Sequence, residues 1–209
     1  MTTNTIKQLY GDYRTPSEYP HDYTLDFITR NAILFNNIKT FQDADELNHY
    51  IQLSWQHLNA LYSKDRFNET ADNAIKYLQI IDNEINRLNS NSSKDDWYYG
   101  LLLLKGTAVY QLRDYKTSTP IFKQLVAHDT KNENYKNWLS YSLYGQRMWI
   151  SNTIVIICMS LGAIELFFKE YIPSSIVRMS LLGIALTGLI GTSIYNYYIK
   201  RNRRKSQLK

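Results

Sequence analysis

Residues 148–168 read MWISNTIVIICMSLGAIELFF and residues 176–195 read IVRMSLLGIALTGLIGTSIY, with the seven residues KEYIPSS between them. Glu165 is the one charged side chain in the first run and Arg178 the one in the second. At the rise of an α-helix the first run is roughly 31 Å long, the thickness of a bilayer's hydrocarbon core. A core helix of a soluble protein carries a polar stripe toward water, and neither run has one. The spacing predicts transmembrane helix 1 over 148–168 and transmembrane helix 2 over 176–195, joined as a hairpin by a turn at Pro173.

The flanks give this hairpin a direction. Lys131, Lys136 and Arg147 precede it, and Lys200, Arg201, Arg203, Arg204, Lys205 and Lys209 follow it, whereas the connection holds only Lys169 beside Glu170. Lysine and arginine are retained on the cytoplasmic side, so both ends are expected there. Trp149 with Tyr195, Tyr197 and Tyr198 marks that interface, and Phe167, Phe168 and Tyr171 the opposite one. The basic tail, 196–209, is expected to meet anionic lipid headgroups through Arg201, Arg203, Arg204 and Lys205. Glu165 and Arg178 come to similar depth and are expected to form an intramembrane ion pair that neutralises both. Gly183, Thr187 and Gly191 form a ridge of small residues suited to close helix packing, against Cys158 and Gly162 of the first span or in a homo-oligomer.

Composition excludes several classes. A single cysteine, Cys158, forms no internal disulfide and supplies no zinc spacing. The net charge of +5 divides unevenly: residues 1–147 sum to −1 and residues 148–209 to +6. The region before the spans therefore lacks the basic footprint of a nucleic-acid binder. The first residues, MTTNTIKQLYGDY, have no apolar core of a secretory signal. With the Asn-, Tyr- and Ile-rich composition, the expectation is a bacterial inner membrane.

Residues 24–147 show helical periodicity and almost no strand alternation. One helix is expected over Leu25–Ile38, a second after Asp43 with Leu47, Ile51, Trp55, Leu58 and Leu61 inward, and a third over Thr70–Leu88. Ser93 and Asp96 form a capping arrangement for the next. Gly100 to Asn132 reads GLLLLKGTAVYQLRDYKTSTPIFKQLVAHDTKN. It resembles a tetratricopeptide repeat, a 34-residue helix-turn-helix unit. GTAVYQLRDY carries the match: Gly106 and Ala108 at the close-packing positions, Tyr110 and Leu112 in helix A, the turn Arg113-Asp114-Tyr115, then Phe122 and Leu125 in helix B. Ser140, 34 residues after Gly106, implies a further helix A from about Glu133. Leu102, Ser118 and Thr130 depart from the family pattern, and Pro120 requires helix B to start near Ser118. Residues 44–89 are repeat-like in alternation but lack the motif residues.

The resemblance implies an α-solenoid whose helix A side chains, here Leu103, Thr107, Tyr110 and Gln111, line a groove for a protein or peptide partner, with Gly106, Ala108, Tyr115 and Phe122 packing the repeat. Residues 1–23, with Pro16 and Pro20 among four tyrosines, are expected to lie extended, and can fill that groove themselves.

No nucleotide, nucleophile-elbow or metalloprotease motif occurs. His49 and His57 share a helix face without metal spacing and are read as exposed or satisfied. Arg14 and His21 have the R-x6-H spacing that resembles the motif of helical ribonucleases, but Pro16 and Pro20 oppose the helix it needs. The expectation is an all-α chain, a tetratricopeptide-like domain followed by a two-helix transmembrane hairpin. It would act as a membrane-anchored assembly scaffold, not an enzyme, with no cofactor or metal. The alternative is an effector that oligomerises through the hairpin to permeabilise the bilayer.

Overall fold

The computed structural model describes residues 6–13, 20–89, 96–168 and 174–207. Every regular element among them is helical: α1 (Ile6–Asp12), α2 (Pro20–Arg30), α3 (Ala32–Asn37), α4 (Ala44–Ser63), α5 (Phe67–Leu88), α6 (Asp96–Gln111), α7 (Tyr115–His128), α8 (Glu133–Phe168) and α9 (Ser175–Gln207). The chain divides into two compact units, Met1–Ser142 and Leu143–Lys209.

In the first unit α4 pairs with α5 and α6 with α7, while α6 also packs on α4 and α5. The shared core holds Leu47, Ile51, Leu58, Ile81, Leu101, Phe122 and Leu125, all buried. Asp43 caps α4 as its sequence position predicts, accepting the Glu46 amide at 2.8 Å. The helix expected over 25–38 is broken at Asn31 into α2 and α3, so that Phe35 stacks on Tyr50 with ring centres 5.1 Å apart.

The N-terminal segment differs from its expected extended form. Residues 6–12 form α1, which buries Ile6 and Leu9 against α4, and Pro20 opens α2. Ile6, Leu9, Tyr10 and Tyr13 recur at helical spacing, so burying them on α4 favours a helix, and proline is harmless where a helix's first amides have no acceptor. Tyr13 then bonds Thr24 through their hydroxyls at 2.7 Å.

Helix α7 begins at Tyr115, capped by Asp114, so Pro120 lies inside it rather than in its first turn. The carbonyl of Lys116 loses its donor on an exposed face, where water can replace it. Helix α8 begins at Glu133, as expected, yet its small residue facing α7 is Ser142 and not Ser140: the buried Ser142 hydroxyl bonds those of Ser118 at 2.6 Å and Thr119 at 2.8 Å.

The second unit consists of the remainder of α8 and α9. Cys158 meets Gly188, and one pocket is lined by Ile150, Ser151 and Ile154 from before Cys158 together with Gly191, Thr192 and Tyr195 from after Gly188, the order of an antiparallel pair. Residues expected as a tail continue α9 to Gln207, in keeping with the helix propensity of Lys and Arg and their favourable interaction with a helix C-terminus.

Candidate functional site

Two turns organise the first unit. Between α4 and α5, the Arg66 amide bonds the Leu61 carbonyl at 3.0 Å and the Asp65 amide bonds Tyr62 at 3.0 Å, with Asp65 at φ 57°. Between α6 and α7, Asp114 bonds Val109 at 3.1 Å and Arg113 bonds Tyr110 at 2.9 Å, with Arg113 at φ 64°. Both are the six-to-one and five-to-two pattern that ends helices with one left-handed residue. Aligning the turns sets ALYSKDRF (60–67) on AVYQLRDY (108–115), an offset of 48 residues. Ala60 and Ala108 are both wholly buried. Tyr62 meets Phe67 edge to face at 5.2 Å, and Tyr110 meets Tyr115 edge to face at 5.4 Å. The two helix pairs thus share one turn and its flanking aromatic contact, at a spacing longer than 34 residues because α5 has 22 residues and residues 90–95 follow it. The matched A-x-Y-x4-aromatic pattern was the sequence signal for the first pair.

Of the residues expected to pack the repeat, Gly106 meets Phe122, Ala108 lies in a second cluster and Tyr115 lies against Tyr110. A Cβ on Gly106 would stand 2.8 Å from Phe122 Cε1, so only glycine admits that ring. Ala108 packs with Ala71, Val109, Tyr62 and Phe67, across the boundary between the two pairs.

The expected groove is less open. Thr107 is buried, its hydroxyl bonded to the Leu103 carbonyl at 3.0 Å, and Leu103 packs on the core. Tyr110 lies edge to face with Trp138 of α8, ring centres 5.4 Å apart. Three of the four residues therefore serve the chain's own packing. Gln111 is exposed and reaches the Tyr62 hydroxyl at 3.5 Å, leaving the Tyr62–Gln111 edge as the open part of this face. Over α4, α1 supplies the cover: Tyr10 stacks on His49 at 4.3 Å.

His57 donates nothing to a site. Its Nδ1 faces the Tyr77 hydroxyl at 2.7 Å, and burial, reinforced by Arg66 and opposed by Glu69, pushes its pKa down to about 4. In the neutral ring whose proton sits on Nε2, Nδ1 accepts the hydrogen bond that the Tyr77 hydroxyl donates. Among the described residues no three His, Cys, Asp or Glu side chains gather to hold a metal.

In the second unit the face of α9 turned to α8 carries Ala185, Gly188 and Thr192. A Cβ on Gly188 would stand 2.3 Å from Cys158 Sγ, and Cys158, Ala185 and Thr192 are buried. The ridge expected to meet the first span, Gly183, Thr187 and Gly191, lies on exposed positions, with nothing within 4 Å of a Cβ at either glycine or at Gly162. The offset is one helical step: Gly188 and Gly191 sit on adjoining faces, and the bulk of Cys158 selects the one that admits it. Glu133–Ile164 and Ser175–Tyr195 are long and apolar enough to cross a membrane, with 11% of each apolar window buried. Arg14, Ser93, the 169–173 connection with Pro173, and the side chains of Glu165, Arg201, Arg203, Arg204 and Lys205 lie outside the described residues.

These features define the class: an all-α chain with two helix pairs joined by matching turns and two apolar helices of spanning length. Compared with known proteins, it matches no family model, no curated protein and no solved structure.

Proposed function

We propose that the chain is a membrane-anchored, tetratricopeptide-like scaffold that holds a protein or peptide partner on the cytoplasmic side and performs no chemistry of its own. The observation that carries this reading is the two helix pairs with matching turns, because stacked helix pairs build surfaces for partners rather than catalytic pockets. The partner docks at the Tyr62–Gln111 edge, and α8 with α9 localises the complex, with both ends cytoplasmic and the basic end of α9 on anionic headgroups, in a bacterial inner membrane.

The test is extraction of the full chain in mild detergent, followed by the mass of the complex and identification of what accompanies it. A small complex with one stoichiometric foreign protein, lost on Gln111→Arg, supports the scaffold. A large ring of this chain alone sinks it and favours the second reading, an effector that permeabilises the bilayer. The exposed Gly183–Thr187–Gly191 ridge is the observation behind that alternative. Under it, Gly183→Leu with Gly191→Leu abolishes dye leakage from vesicles; under the scaffold reading the same variant retains its partner.

A further inference from the structure

A cleft of about 570 Å³ opens in the first unit between α5 and the segment joining α3 to α4. That volume lies in the range of small-molecule sites. One wall is a face of α5 carrying Asn73, Lys76, Ile80 and Asn83, with Gln79 beside it. Opposite stand Asn36 and Lys39, and the buried rings of Tyr50 and Tyr77 lie beneath.

The opposing wall is held firmly. Phe35, next to Asn36, is wedged between Tyr50 and Tyr77, with ring centres 5.1 and 5.5 Å away. Phe41, two residues after Lys39, is pinned to α5 at both polar atoms: its amide donates to the buried Glu84 carboxylate at 3.0 Å, and its carbonyl accepts from Arg87. Glu84 is thereby fully engaged with Phe41 and Arg87, the latter at 2.6 Å, on the neighbouring turn of α5.

No aspartate or glutamate lines the cleft. Elsewhere in this unit cations find acids, as in Lys7–Asp43, Lys64–Asp22 and Lys136–Glu133, each at 2.7 Å. Lys39 and Lys76 have no such partner among the described residues, and the side chains of Asn36, Gln79 and Asn83 make no hydrogen bond there. Two exposed lysines lining one cleft free of acids, with side-chain amides to donate and accept, supply what a compact multi-oxygen anion needs; lysine binds phosphate as a point charge without the fixed fork of arginine.

We propose that this cleft binds a phosphomonoester, through Lys39 and Lys76, with Asn36, Gln79 and Asn83 bonding the remainder of the molecule. The phosphate comes either from a soluble metabolite or from a lipid headgroup, and the chemistry at the lysines is the same. This site is independent of the partner-docking edge at Tyr62 and Gln111.

The test is equilibrium dialysis of the full chain, in neutral detergent at low salt, against glycerol 3-phosphate and separately against short-chain phosphatidic acid. The expected result is saturable binding of one molecule per chain, at least tenfold weaker in Lys39→Ala/Lys76→Ala. Asn83→Asp, which sets a carboxylate in the cleft without touching the core, should also weaken binding tenfold, while Lys116→Ala on the exposed side of α7 leaves it unchanged. Binding of glycerol 3-phosphate assigns a soluble ligand, and binding of phosphatidic acid alone assigns a headgroup. Failure of both probes to saturate, parental binding by both cleft variants, or an equal loss in Lys116→Ala overturns the proposal.

Discussion

Asp65 and Arg113 are non-glycine residues held in the left-handed region, each as the single residue that lets its helix reverse. A Cβ there meets the following carbonyl at a cost of roughly 1–2 kcal/mol, which glycine escapes. Asp65→Gly and Arg113→Gly should each raise the stability of the first unit by about 0.5–1 kcal/mol, read as a higher urea midpoint by tryptophan fluorescence. Absence of glycine also explains why the recurrence is hard to read: the turns are spelled Lys64-Asp65-Arg66 and Leu112-Arg113-Asp114, and no shared residue marks them. His57 gives the opposite kind of prediction. Its folded pKa of about 4 lies below its ordinary 6.5, so the unfolded chain binds the extra proton between those values. Stability is therefore full above pH 6.5 and falls with acidification toward pH 4, by up to about 1.4 kcal/mol per unit from this group. The carboxyl of Glu84, held below its ordinary range by Arg87 and the Phe41 amide, adds a loss of the same sign at the acid end. His57→Gln keeps a partner for Tyr77 and cannot titrate, so its urea midpoint should change less between pH 6.5 and 4.5 than that of the parent.

Among elements, α4 to α6 were the most legible, because their apolar positions recur at three and four and Asp43 stands at the first cap, whereas α7 starts at Tyr115 under an Asp114 cap, ahead of the start expected near Ser118. Helix α1 and the first turn of α2 were not, since Ile6, Leu9, Tyr10 and Tyr23, set among polar residues and prolines, carry too weak a period until α4 provides a surface to bury them. Helix α9 was legible as a span yet not in rotation. Its two small-residue ridges have equal claims in the sequence, and hydrocarbon tails contact an apolar helix about as well as a neighbouring helix does. The contact at Gly188 makes the rotation testable. A Cβ there lies 3.8 Å from Cys158 Cβ, the usual separation in a disulfide. Gly188→Cys should therefore crosslink to Cys158 within one chain when membranes are treated with copper phenanthroline. Gly183→Cys should not, and a crosslinked dimer from that variant would instead mark the outer ridge as a contact between copies.

For the whole molecule, the distribution of lysine and arginine predicts that both ends face the same side. Epitopes placed at the two ends of the chain should be digested together in inside-out vesicles and protected together in intact spheroplasts; protection of one end alone would refute the arrangement. The protein should also stay in the membrane pellet after carbonate washing at high pH, which strips chains held only by charge. The candidate face was half legible at this scale. The resemblance located the Tyr110 turn, but that Tyr110 is consumed by the chain's own packing depends on Trp138, 28 residues further on, whose position no local pattern announces. The lysine cleft was not legible at all, because Lys39 and Lys76 are 37 residues apart and come to line one cleft through the pinning of Phe41 to α5.

The apolar runs 148–168 and 176–195 come after the compact unit that ends at Ser142, and a ribosome makes the chain in that order. At roughly 5–20 residues per second, the first unit is complete for several seconds before α9 is released. Its helix pairs are local in sequence and fold far faster than that. A folded unit resists threading through a translocation channel, so under the proposed topology translation timing is expected to act in the same direction as the basic flanks. Variants that slow the folding of the first unit, and leave every flanking lysine in place, should be the ones that yield inverted molecules.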